Sequence, residues 1–303
     1  MENSSKQREW GGLWTEEKLD CFESYVRAYL TIMNAYRDKF HWKLLYFDGF
    51  AGCGSRGIED KSALEQVYGD NKIDEGELKL YMGAAERVVR LEQQMRGFDF
   101  YYFVDVNEDN LTRLELKLAP YVTTGSKVFR PDNANNQLWA LSKGMQANRN
   151  LKTLCFLDPF GMHIDWDSIV AVAGPSVDLW ILVPTGSIVN RLIQKNGELR
   201  YPDKLQCFFG LPEEEIKKRL FVPKTDLTLF GEETKFEKVK GAIQEIANIY
   251  CDQLGQLFPY VTSKPLVLRN SNNVPIFHLV CASHNATAVK IAQQIISKQQ
   301  QNH

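Results

Sequence analysis

The chain has no cysteine pair spaced C-x-x-C, no apolar run long enough to cross a bilayer, and no large excess of charge of either sign. Each lack excludes something. Cys21, Cys53, Cys155, Cys207, Cys251 and Cys281 are scattered, several inside apolar runs. That pattern argues against a disulfide framework and against a zinc site, and points to a reduced, cytoplasmic protein without a metal. A span needs about 20 apolar residues, so no membrane association is expected. The first ten residues are polar and lack the apolar core of a signal peptide. The formal net charge is −2 over 303 residues, so nothing pulls in nucleic acid globally and any such contact must be a local patch. Internal repeats are also missing.

What the chain does have is an organising stretch at residues 44–55, L-L-Y-F-D-G-F-A-G-C-G-S. A short apolar and aromatic run reads as a buried strand. It stops at Asp48 and passes at once into a glycine-rich turn, Gly49, Phe50, Gly52 and Gly54. Glycines let a backbone approach a ligand and adopt dihedrals that a side chain forbids. A strand entering such a turn is how doubly wound α/β proteins build a nucleotide site.

Two ligands suit this turn. Gly52, Gly54 and Gly57 fit the G-x-G-x-x-G spacing of dinucleotide binders, which would make the chain a nicotinamide-dependent oxidoreductase. Asp48 argues against it, because a carboxylate beside a pyrophosphate repels it by roughly 1 kcal/mol per charge pair at about 4 Å in water, and more in a closed site. S-adenosylmethionine carries no phosphate but a sulfonium and an ammonium, and an acid suits both.

The rest of the chain alternates strands and helices. The spacing predicts a long amphipathic helix after an N-cap at Thr15, then strands over 42–47, 98–104, 127–129, 153–157 and 177–183 with helices between them. Residues 56–80 and 186–235 read as insertions, 1–14 as a flexible leader, and 15–303 as a single domain. A strong helix is expected over 236–257, a hairpin over 265–282 around Ser271, Asn272 and Asn273, and a closing helix over 286–297. The fold class is therefore α/β: a mostly parallel central sheet with helices on both faces and a C-terminal antiparallel hairpin. That is the plan of Rossmann-like class I methyltransferases.

Asp48, Asp105, Asp132 and Asp158 each fall at the carboxyl end of a predicted strand, where such folds converge on one crevice. On the methyl-donor reading, Asp48 faces the methionine end and Asp105 accepts the ribose hydroxyls. Val106 packs on the adenine, and Asp132 with Asn133 accepts from its amine. Asp158, Pro159, Phe160 and Gly161 form the second motif. Proline stiffens the turn, so the Asp158 carboxylate and the Pro159 carbonyl present rigid acceptors to an exocyclic amine, with Phe160 stacked on the base. Each acid precedes a helix, so N-capping is the alternative role for all four. A basic and aromatic segment, 191–224, is a candidate for contact with phosphates.

These motifs resemble a known family. D-G-F-A-G-C-G at 48–54, F-V-D-V-N at 103–107, L-D-P-F-G at 157–161, V-D-L-W-I-L-V at 177–183 and F-H-L-V-C-A-S-H at 277–284 are similar to those of three-Cys-motif partner proteins. The resemblance implies a second protein, bearing a three-cysteine motif, as partner. More broadly, the glycine turn resembles the D-x-F-x-G-x-G of nucleic-acid base methyltransferases, and D-P-F-G resembles the D-P-P-Y-type motif of amino-methyltransferases. It departs from that motif in lacking the second proline and in bringing the aromatic one place early. The resemblance implies a methyl acceptor on a nucleobase amine in RNA or DNA, or an adaptor that keeps the fold and has lost turnover.

Overall fold

The computed structural model describes residues 13–53, 83–159, 161–228 and 231–301. The expected insertion at 56–80, most of the leader, Gly54 and Phe160 lie outside them. The sheet is built outward from β1 (Lys43–Asp48). On one side lie β2 (Phe100–Asp105) and then β3 (Ser126–Pro131); on the other lie β4 (Leu151–Leu157) and β5 (Val177–Val183), all parallel. Further along the chain, β6 (Phe221–Thr228) and β7 (Gly231–Lys238) pair only with each other. The short β8 (Tyr260–Val261) and β9 (Leu266–Arg269) both pair with β10 (Pro275–Ser283), which runs antiparallel beside β5. The resulting order is β3-β2-β1-β4-β5-β10, with the β9–β10 hairpin closing the sheet. This is the expected α/β plan, a mostly parallel sheet finished by an antiparallel hairpin.

β1, β4 and β5 are buried on both faces, which is why their sequences are near-continuous apolar runs. β3 is the edge strand and correspondingly half-exposed and polar. One face is covered by α1 (Leu13–Phe40), α2 (Ala84–Arg90), α3 (Glu108–Leu118) and the last helix, whose Cys21, Phe22, Val88, Leu114 and Ile296 join the strand residues in one core. The opposite face is covered by α4 (Ala134–Ala147), α5 (Trp166–Val172), α6 (Pro202–Phe209), α7 (Glu213–Leu220) and α8 (Ala242–Leu257). The closing helix is α9 (Ala286–Gln301).

Two elements differ from expectation. Thr15 lies within α1, whose first described residue is Leu13, so it does not cap the helix. The helix expected from 236 begins only at Ala242: residues 231–238 are strand β7, and Gly241, at φ +75°, makes the turn between them. Phe236 and Val239 fall at helical spacing with Ile243, but Phe236 sits in the β6–β7 ladder opposite Pro223.

Candidate functional site

β1 delivers Asp48 to the edge of the sheet with its backbone opposite Phe103 of β2 and Phe156 of β4. Alternation along the strand puts Asp48 on the face of Tyr46, and the Tyr46 hydroxyl donates to Asp48 Oδ2 at 3.0 Å. The Phe50 backbone N–H donates to Oδ1 at 3.2 Å. Asp48 is 1% exposed. Burial pushes its carboxyl up to about 7, against the two hydrogen bonds; the neighbouring Asp158 adds to the rise and Lys18 opposes it. The acid thus lies beneath the turn, holding it from inside.

The turn needs its glycines. A Cβ on Gly49 would stand 2.7 Å from Leu157 Cδ2, so a side chain there would collide with β4. Gly52 has φ +60°, and among the described residues a Cβ on it would meet nothing within 4 Å. Ala51 N donates to the Val104 carbonyl at 2.9 Å, and Gly52 N donates to Asp105 Oδ2 at 3.1 Å. The turn is therefore clamped to the end of β2 by a carboxylate. Asp105 Oδ1 takes the Asn107 N–H at 2.8 Å and the Asn110 amide at 3.2 Å. A carboxylate has about four acceptor directions, so one on Oδ2 remains. Val106, next in line, is 76% exposed, an apolar side chain on the surface at the strand end.

Asp132 N donates to the Asp105 carbonyl at 3.1 Å, so the two acids are neighbours along the backbone. Their side chains do different work. Asp132 accepts from Gln137 Nε2 at 2.6 Å, from Asn133 N at 2.7 Å and from Asn136 Nδ2 at 3.0 Å. These donors, Gln137 first, hold its carboxyl below the usual range. Asn133 caps α4, accepting from Asn135 N at 2.8 Å.

Asp158 follows β4 and forms an ion pair with Lys18 of α1. Lys18 is 4% exposed. Its ammonium stands 5.6 Å from the centre of the Trp14 ring, which stacks on Phe277 of β10 at 5.2 Å. Pro159 and Gly161 are buried, and a Cβ on Gly161 would press on Ile188 and His163. Beside this turn opens a cleft of about 550 Å³, walled by Asn133, Gly161, His163, Ile188, Tyr201 and Lys204 among others.

The structure therefore gathers Asp48, Gly49, Phe50, Gly52 and Asp105 into one turn, and sets Asp158 close enough to Asp48 for the two charges to be felt. Asp132 and Asn133 stand on the next strand end, with the Asp132 carboxyl engaged by its own helix. Sequence reasoning missed Lys18 and Tyr46. For Tyr46 the signal was there, two residues before Asp48 in a buried strand; Lys18 shares the apolar face of α1 with Phe22 and Tyr25, and its partner is distant in sequence.

No protein-family model matches the chain, and no curated protein is similar to it in sequence. The likeness to three-Cys-motif partner proteins rests on the quoted motifs alone. Among solved structures, a Legionella pneumophila protein described by the family model DUF519 is similar over 82% of this chain and 93% of its own, at 16% identity and a TM-score of 0.41. A Clostridium acetobutylicum S-adenosylmethionine-dependent methyltransferase is similar over 89% and 92%, at 12% identity and a TM-score of 0.35. Likenesses this distant say nothing about substrate.

Proposed function

We propose that the chain is a cytoplasmic S-adenosylmethionine-dependent methyltransferase acting on an amine nitrogen of a nucleobase in RNA or DNA. One observation carries the cofactor: two N–H groups of the glycine turn are already given to acids. Phe50 N–H goes to Asp48 and Gly52 N–H goes to Asp105. A dinucleotide needs such N–H groups aimed at its pyrophosphate; these two are engaged by carboxyl groups instead. The same arrangement suits a cationic ligand seated at the turn.

When bound, the cofactor supplies an electrophilic methyl group. Asp105 would offer its remaining Oδ2 direction to a ribose hydroxyl, Val106 its apolar surface to the adenine, and Asp132 with Asn133 the polar edge beyond. Asp158 and the Pro159 carbonyl would hold the acceptor amine, and Phe160 would stack on the base. Their contribution is position more than proton transfer. Lys18 fixes the Asp158 carboxylate in place.

That ion pair also favours a second reading. A carboxylate already held by a lysine is occupied, as in an adaptor that binds the cofactor and serves a three-cysteine-motif partner without turnover. Calorimetry with S-adenosylhomocysteine tests the shared premise: heat of binding is expected, with loss of affinity in Asp105→Ala. No heat from pure protein sinks both readings. Radiolabelled donor with total RNA or DNA, with and without the partner, separates them.

A further inference from the structure

The basic segment 191–224 divides in two. In its second half three of the four cations are paired, Lys218 being the fourth: Lys217 with Glu213 at 2.6 Å, Arg219 with Glu245 and Asp252, and Lys224 with Glu237 at 2.7 Å. In its first half, among the described residues, Arg191, Lys195, Arg200 and Lys204 form no ion pair with a carboxylate. Arg200 reaches the Gln194 side-chain amide instead, which leaves Arg191, Lys195 and Lys204 available to a ligand.

The first half is also held firmly. Ile193 and Leu199 bridge antiparallel, Arg200 N donates to the Leu192 carbonyl at 2.7 Å, and Lys238 donates to the Asn190 and Ile193 carbonyls at 2.6 and 2.8 Å. Tyr201 comes next, at φ 53° and ψ 59°. A left-handed conformation is uncommon for a residue with a bulky side chain. It persists because the bridge fixes the chain before it and α6 fixes the chain after it, where Tyr201 O accepts from Leu205 N at 3.2 Å. The result is an aromatic ring 64% exposed at the wall of the 550 Å³ cleft, with the Lys204 ammonium 5.6 Å from its centre. Gly161 and Asn133 line the same cleft, so it reaches both the acceptor turn and the strand end beside the cofactor residues.

Building on the reading of the Asp158 turn as the acceptor site, we infer that this cleft takes an unpaired nucleotide of a single strand, its base stacked on Tyr201 and its phosphate at Lys204. Stacking on an exposed ring tolerates any base, and a base already free of a duplex needs no unstacking to enter. The volume lies in the range of small-molecule sites. Asp165 and Asp203 also line the cleft; Lys204 is the lysine among its lining residues and so the place for phosphate.

The test is anisotropy of a labelled single-stranded RNA 12-mer of mixed sequence, titrated with the full chain at several salt concentrations. Tyr201→Ala is expected to weaken binding about 5- to 150-fold and Tyr201→Phe to leave it near wild type. Lys204→Gln is expected to lower the salt slope by about 0.7, the value for one phosphate contact on a single strand. The Lys224→Gln control, whose lysine is already paired, leaves the slope unchanged, and the matching duplex binds more weakly than the single strand. Thermal melting confirms that each variant is folded. Wild type that binds no single strand, a folded Tyr201→Ala variant that binds as wild type does, or a preference for duplex overturns the inference. Calorimetry with S-adenosylhomocysteine is read separately. Strand binding without cofactor binding would refute the methyltransferase and leave the cleft assignment standing; cofactor binding without strand binding would do the reverse.

Discussion

The β1 and β3 ends of this sheet each present an aspartate, and the two behave in opposite ways. Asp48 is buried and its carboxyl is pushed up to about 7. Asp132 is only partly covered and its carboxyl is pushed down, because Gln137, Asn136 and the Asn133 N–H all donate to it. An acid at the end of a parallel strand is therefore not one signature but two. Where the environment is dry and donors are few, it is a titrating group beneath a glycine turn. Where the next helix supplies donors, it organises that helix. What separates the cases is the number of donors set against the loss of water.

The contrast can be attacked from its largest expected effect downward. Lys18 is the cation that moderates the β1 end. Lys18→Met leaves Asp158 without its partner and is expected to cost about 3 kcal/mol, the lower end for a broken buried pair, since Asp158 keeps 24% of its side chain accessible. Urea unfolding measures this, and a variant as stable as wild type would show that the pair does nothing for the fold. The same substitution should move the Asp48 titration further up.

Asp48 itself gives the next effect. Its folded value near 7 lies above the unfolded value near 4, so between those limits the folded state binds more protons. Its contribution is present at the acid end and lost as pH rises through 7. Relative to Asp48→Asn, wild type should lose roughly 2 to 3 kcal/mol between pH 5 and pH 8. Parallel stability curves for the two proteins would mean that the carboxyl is not held dry.

The smallest effects belong to β3. Asn133→Ala removes the cap of α4 and is expected to cost about 1 kcal/mol. Asp132→Asn should cost less, because partly exposed charges are screened. Its stabilisation has the opposite pH sense, present above about pH 4 and lost as pH falls through the lowered folded value. A loss on Asp132→Asn as large as that on Lys18→Met would erase the distinction between the two ends.

Much of this architecture is legible in the amino-acid sequence alone. β1, β2, β4 and β5 announce themselves because strands buried largely on two faces need apolar residues at most positions. The turn after β1 announces itself through Gly49, which has no room for a side chain, and Gly52, whose φ favours glycine. The β6–β7 hairpin is not legible in this way. Its strands, F-V-P-K-T-D-L-T and G-E-E-T-K-F-E-K, pair apart from the main sheet, and the described side chains at 222–225 and 235–237 are exposed, so they show no alternation. Lys18 is hidden for another reason. A lysine within an apolar helical stripe reads as an interruption until its partner is known, and Asp158 lies 140 residues further on. The fate of the acids is half-legible: Asn136 and Gln137, a turn after Asp132, are a visible donor set, whereas the dryness around Asp48 depends on packing from both sides of the strand.

The stacking of Trp14 on Phe277, together with the packing of α1 against β9 and α9, has a consequence for synthesis. In chain order α1 comes before β9 and α9, so the ribosome releases it ahead of the elements that cover it. During translation the apolar stripe that carries Lys18 waits in the open. The stripe is covered only once β9, β10 and α9 have followed.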